Sequence, residues 1–289
     1  MSLPAPPSSD HCYRHPNRET GRKCTRCGKS ACSECLTQAA VGSHCPDCVK
    51  ASQPDIKTRV KYANSKQQTL VTYILIAVNL AVFLWVAAAD TSTISQGIGS
   101  TQGLSKRQFD LGLSRLGLQY QHHWYQLVTS GFLHFGLLHI GLNMYLLYQL
   151  GQLLERSLGR TKFALLYFAS LLGGSAVIVL IPALNRGTSG GASGAVFGLI
   201  GAAAIAMHRQ GINIMNTPIG RLLMLNIIIT VIFHSEISVG GHLGGLVAGG
   251  ICGAVMLAPR WKPTPNWAKY AAPIAVSVLA VVISVVVVG

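Results

Sequence analysis

The chain has 289 residues, of which 50% are hydrophobic and only 11% charged, and it carries a net charge of +14. Soluble domains carry about a quarter charged residues, so this composition excludes an ordinary soluble globular protein and points to a membrane. The positive charge alone would also suit nucleic acid. Its placement argues otherwise, because the basic residues gather between apolar stretches and mostly on one side of them.

Seven of the eight cysteines precede residue 49 and form, with one histidine, four two-ligand hooks: Cys12/His15, Cys24/Cys27, Cys32/Cys35 and Cys45/Cys48. Four hooks make two four-ligand sets, the number and ligand type that two tetrahedral structural zinc ions take. A disulfide framework is the competing reading, and a reducing cytoplasm disfavours it. Joining the first hook to the third and the second to the fourth would give a cross-brace, as in B-box-like and RING-like modules. The spacing leaves that pairing open, and it leaves open a ligand role for His11 or His44. Fully liganded zinc has no position free for catalysis, so the expected task of residues 1–50 is recognition of an unknown protein partner or of substrate, and nothing in them reads as a nucleic-acid-binding motif. Residues 51–69 read as a basic linker able to touch anionic lipid. No cleavable signal peptide is expected, because this front end is polar rather than a short apolar run. Cys252 lies in an apolar stretch and is read as packing.

Seven apolar stretches follow: Leu70–Ala89, Phe132–Leu153, Lys162–Ile181, Ala192–Met207, Gly220–Phe233, His242–Leu257 and Ala271–Val288. Each approaches the 17–25 residues that cross a bilayer, the fifth being the weakest. The opposite side from the N-terminus holds only Lys106, Arg107, Arg115 and Arg186 of the 23 basic residues. That bias predicts a cell-membrane protein with a cytoplasmic N-terminus and an extracytoplasmic C-terminus. Between the first two spans, amphipathic pieces such as "QFDLGLSRLGLQ" are expected in the outer interface.

Polar groups inside spans are costly, so each needs a reason. Spans two, four and six all run inward from the outer face, which places His139 and Asn143, Ser193, and His242 in one layer of the bundle. A serine at a helix start and a histidine at the same depth are a nucleophile and its general base. No carboxylate lies at that depth, since Glu236 falls in the loop before His242, so a Ser–His dyad is the economical reading. Each residue taken singly has a plainer explanation as an interhelical hydrogen-bonder. The runs Gly190/Gly194/Gly198 and Gly241/Gly245/Gly249/Gly253 read as close helix packing, which is also what would bring the two helices together.

At these residues the sequence resembles the rhomboid family of intramembrane serine proteases, over roughly residues 70–258. The resemblance rests on Gly191-Ala192-Ser193-Gly194, on His242 with Gly245 and Gly249, on His139 with Asn143, and on Glu155-Arg156. It implies an all-α membrane protein: a six-helix bundle over 70–258 and a seventh helix in 259–289, preceded by the zinc module. It implies an endopeptidase with Ser193 as nucleophile and His242 as base. His139, Asn143 and the Ser193 backbone N–H would form the oxyanion hole. Substrates would be transmembrane proteins met in the lipid bilayer, and catalysis would need no cofactor. The zinc module and seventh span resemble actinobacterial members. Two departures stand out. Gln126 replaces an expected arginine, losing a cation that would pair with Glu155 and brace the first loop. Phe197 takes the place of an aromatic residue, often tyrosine, that stacks on the catalytic histidine. Water is expected through an outward cavity lined by His122, His123 and His134. The rival readings are an inactive rhomboid-like protein that binds membrane clients, and a zinc-module receptor or transporter scaffold. Few buried carboxylates and no paired broken helices count against a transporter.

Overall fold

The computed structural model describes residues 10–39, 41–53, 69–96, 103–184, 187–232, 237–259 and 261–289. Most of the expected linker, Arg186 and Glu236 lie outside the described residues. The chain divides into two compact units, residues 1–66 and 67–289.

The first unit is two short hairpins and a helix. Strand β1 (His11–Cys12) pairs antiparallel with β2 (His15–Glu19), and β3 (Thr37–Gln38) with β4 (Ser43–His44). Helix α1 (Pro46–Ser52) follows, with proline at the helix start, where its missing N–H costs nothing. One cluster of buried residues here is Cys12, Ala31, Cys32 and Cys35, with Tyr13 and Leu36 packed against it, and Cys24 and Cys45 are buried as well. So small a core does not hold a fold unaided. The exposed ion pairs Lys23–Asp10 and Lys29–Asp47 add little.

The second unit is helical. Its long helices are α2 (Leu70–Ala87), α7 (Leu137–Leu158), α8 (Arg160–Leu180), α9 (Ser193–Arg209), α10 (Pro218–Ile232), α11 (Val239–Met256) and α12 (Ala268–Val288). Each of the seven apolar stretches therefore forms one helix. Helices α2, α8, α11 and α12 are long and apolar enough to cross a membrane, and α7 joins them when taken with the bent segment before it. Helices α9 and α10 are apolar but shorter. This is a multi-pass membrane protein. Helix α8 is the hub: it packs on α7, α9, α11 and α12, and its buried residues, among them Phe163, Leu166, Tyr167 and Val179, run round most of its circumference. The seventh span, α12, lies against α8 and α11 and turns most of its valines outward.

Most span starts shift by one to three residues from the sequence reading and the second by five, and two of the shifts bear on the site. The second begins at Leu137 rather than Phe132, because Gly136 takes φ +80° and the chain bends by 95° there. That conformation suits glycine and ends the preceding helical turn. The sixth begins at Val239, where the Ser238 hydroxyl accepts the Gly241 N–H and caps the helix. His242 thus sits within the first turn instead of leading it.

Between α2 and α7 lie the short helices α3 (Ser92–Ser95), α4 (Lys106–Leu111), α5 (Arg115–Gln121) and α6 (Gln126–Thr129). They are packed rather than loosely tethered: Leu113, Leu118 and Leu127 are buried with Val179 and Val288. Arg115 donates to the carbonyls of Val179 and Val287, the open C-terminal ends of α8 and α12. The first loop and the seventh span are pinned by one side chain.

Candidate active site

The segment before α9 is fixed on three sides by backbone chemistry. Ser189 and Leu113 exchange both N–H···O bonds at 2.8 Å. The Gly191 N–H donates to Ser130 O at 2.8 Å. The Ala192 N–H donates to Nε2 of His134 at 3.3 Å. These bonds deliver Ser193 as the first residue of α9, where the first intrahelical bond is Val196 N–H to Ala192 O. The Ser193, Gly194 and Ala195 amides therefore have no intrahelical acceptor and mark the positive end of the helix. Ser193 lines an open cleft, together with Ser130, Gly131, Ser175, Ser189 and Gly241.

Helix α11 reaches this point through glycine. A Cβ on Gly245 would lie 1.9 Å from the Gly194 carbonyl oxygen, and one on Gly249 would lie 2.1 Å from that of Gly198. The two backbones touch, and Gly194 also meets the Gly241 carbonyl, 3.3 Å from where its own Cβ would be. Ser193 and His242 are the chain neighbours of Gly194 and Gly241 at that contact. His242 is buried. Its ring stacks on Phe197 at 4.1 Å between centroids and 15° between planes, and its Nδ1 lies 2.9 Å from Thr230 Oγ1 on α10.

His139 Nδ1 accepts the Phe135 N–H at 3.3 Å, which leaves the ring proton on Nε2. That Nε2 faces Gly191, whose φ of +133° and missing side chain open a small space. A Cβ at Gly191 would be 2.8 Å from His139 Nε2 and 3.6 Å from Ser193 Oγ. Asn143, also buried, donates from Nδ2 to the His139 carbonyl at 3.0 Å and keeps a second Nδ2 hydrogen.

Three readings from the sequence need correction. His134 is not part of an outward-facing cavity wall: it is fully buried and holds the Ala192 amide. It stands edge-on to His139, 5.1 Å between ring centroids. His122 is exposed at the left-handed end of α5. Gln126 does not leave the loop unbraced, since its buried side-chain amide donates to Phe109 O and Asp110 O and accepts from Ser114 N–H. A cation there would not have met Glu155, because the two residues flank opposite ends of α7. Glu155 instead accepts Val71 N–H, Thr72 N–H and the Thr72 hydroxyl at 2.7–3.0 Å, capping α2. Sequence spacing carried no sign of His134, because the bend at Gly136 separates it from the periodicity of α7.

Residues 121–259, which hold Ser193, His242, His139 and Asn143, match the family model described as the Rhomboid domain. Residues 121–259 form a rhomboid domain. The chain is similar to rhomboid protease GluP of Bacillus subtilis, 30% identical over 193 residues, 65% of this chain and 35% of that protein. RHOMBOID-like protein 5 of Arabidopsis thaliana is 34% identical over 136 residues, covering 46% and 44% of the two chains. Inactive RHOMBOID-like protein 8 of the same plant is 35% identical over 126 residues, 42% of this chain and 34% of that one. The chain thus spans between a third and a half of the length of these relatives.

The N-terminal unit gathers its hooks into two clusters, Cys12/His15/Cys32/Cys35 and Cys24/Cys27/Cys45/Cys48. First pairs with third and second with fourth, the cross-braced arrangement, and neither His11 nor His44 takes part. All eight cysteines are free thiols. From His15 Nδ1 the sulfurs of Cys12, Cys32 and Cys35 lie at 3.8, 3.5 and 3.4 Å, and Cys27 Sγ is 3.6 Å from Cys45 Sγ. Ligand–ligand edges of about 3.5–3.8 Å follow from zinc's bond lengths and tetrahedral angle, so both clusters fit such an ion. The Cys45 N–H donating to Cys24 Sγ at 3.2 Å leads the contacts that hold that thiol down to about 6, which favours the thiolate a metal needs.

Proposed function

We propose that the protein is an intramembrane serine endopeptidase hydrolysing peptide bonds in or near the transmembrane segments of other membrane proteins. The observation that carries this reading is the glycine contact between α9 and α11. It brings together the backbones next to Ser193, at a helix start lining a cleft, and next to His242, whose buried ring is held on one face by Phe197, and so supports pairing the two.

Ser193 Oγ attacks the substrate carbonyl carbon while His242 Nε2 takes its proton. The developing oxyanion settles in the space at Gly191, toward His139 Nε2–H and the free Ser193 amide, with Asn143 adding its second Nδ2 hydrogen. Collapse of the intermediate breaks the C–N bond, and His242 returns the proton to the departing amine. Water entering the cleft then attacks the acyl ester, His242 taking one proton from it. The product acid leaves and Ser193 regains its hydroxyl. No cofactor enters these steps. Small residues line the cleft, so small or helix-breaking substrate residues near the cut are expected.

The excess of basic residues on the N-terminal side of the spans supports a cytoplasmic N-terminus and an active site toward the outer face of the cell membrane. Residues 1–50 hold two structural zinc ions and serve as a contact for a protein partner; residues 51–69 link them to the protease core at 70–258, and 259–289 add the seventh helix. The test is cleavage of a single-span substrate co-reconstituted in liposomes. Wild type should cut it and Ser193→Ala should not. Equal cleavage by both would refute the dyad, and binding without cleavage by wild type would favour the inactive client-binding reading.

A further inference from the structure

The reading of His242 as general base leaves one question that the residues of α9 and α11 do not answer: what keeps Nε2 free of its proton. A neutral imidazole carries one proton on either nitrogen, and only the tautomer protonated at Nδ1 presents a basic Nε2. In a three-residue triad a carboxylate settles this. The described residues around His242 supply a hydroxyl instead.

Thr230 Oγ1 lies 2.9 Å from His242 Nδ1 and 2.7 Å from the Asn226 carbonyl one turn back on α10. A carbonyl oxygen can only accept, so the single hydroxyl proton goes to Asn226, and the hydroxyl oxygen is left to accept from His242 Nδ1–H. The opposite arrangement, with the hydroxyl donating to a bare Nδ1, gives up the bond to Asn226 and makes one hydrogen bond where the first makes two. We propose that Thr230 is a positioning residue: it fixes His242 in the Nδ1–H tautomer and ties the readiness of the base to the seat of helix α10.

The second half of the proposal follows from where α10 sits. Among its described residues Gly220 alone is buried, while Met224, Leu225, Ile227, Ile228, Val231 and Ile232 are exposed. The bond therefore runs from a peripheral helix to a buried ring. An outward shift of α10 takes the hydroxyl away from Nδ1, and the ring loses its preference for the reactive tautomer. Phe197 still holds the ring plane through its stack, so what is lost is the proton's place rather than the ring's.

The test uses the full chain in detergent micelles, labelled with ¹⁵N-histidine, with His242 assigned by its absence in His242→Ala. Wild type should show a protonated Nδ1 and an unprotonated Nε2. Thr230→Val, which keeps the shape and removes the hydroxyl, should mix the two tautomers and lower kcat about tenfold with little change in KM, the effect of one such hydrogen bond. Thr230→Ser should restore both readouts. Unchanged His134 and His139 signals would show that the fold survives. A wild-type His242 protonated at Nε2, or a Thr230→Val protein that keeps the wild-type tautomer and kcat, would overturn the proposal, as would a Thr230→Ser protein no better than Val. If the tautomer is as stated but no form of the protein cleaves substrate, the protease reading fails and the assignment of Thr230 stands.

Discussion

Gly245 faces the carbonyl of Gly194 so closely that a methyl group on it would lie 1.9 Å from that oxygen. This contact, with that of Gly249 on the Gly198 carbonyl, sets how near the helix of Ser193 comes to that of His242. Gly245→Ala must push α9 and α11 apart by more than an ångström, since backbone rather than a flexible side chain stands in the way. Overpacking of this kind costs about 1–3 kcal/mol, and displacement by an ångström can lower turnover on the order of a hundredfold. Proteolysis assays and thermal melts on Gly245→Ala should show both. Wild-type turnover would mean that the seam does not set the geometry. Gly250, with open space where its Cβ would be, is the control.

Glu155 caps α2 from α7, receiving three bonds from Val71 and Thr72. Glu155→Ala removes the acceptor from two backbone N–H groups at once. Bonds to a charged group are worth about 1.5–3 kcal/mol each, so the variant should melt well below wild type. A thermal melt indistinguishable from wild type would show that water replaces the carboxylate at no cost.

Gln126 does for the first loop what one turn of regular structure would do, engaging Phe109, Asp110 and Ser114. Gln126→Ala should loosen residues 105–130, with faster amide exchange at Ser114 and a loss of about 1–3 kcal/mol for unsatisfied buried groups. Exchange in α2 should stay unchanged, because Glu155 and Gln126 work at opposite ends of α7. Faster exchange at Val71 and Thr72 would join the two residues after all.

Much of this arrangement was readable in advance. The seven apolar stretches each became a helix because periodicity and length report burial and span directly. The glycine runs of spans four and six announced a close approach, and the close approach is there. What could not be read are contacts made across breaks in periodicity. His134 precedes the bend at Gly136, so nothing in the spacing tied it to Ala192. Thr230 lies on a span with no marked polar face, and only the folded chain brings its hydroxyl to within 2.9 Å of His242 Nδ1. Gln126 lacks the charge expected at its position, and its amide satisfies backbone groups through geometry that no spacing rule encodes.

The two cysteine clusters make a separable prediction. Elemental analysis of the purified chain should find about two zinc ions, and a strong chelator should remove them and unfold residues 10–53. Cleavage by the membrane unit should persist at a measurable rate, because none of the proposed catalytic groups lies in the clusters. Complete loss of turnover on chelation would place the metal within the catalyst.

The central claim concerns one oxygen atom, the Ser193 hydroxyl. A serine-directed fluorophosphonate probe reacted with the protein in micelles, followed by peptide mass spectrometry, measures it directly. The account predicts one adduct, on Ser193, absent in Ser193→Ala and slowed by on the order of 10⁴-fold or more in His242→Ala. An adduct on another serine, or labelling of Ser193 that persists at full rate without His242, would contradict it.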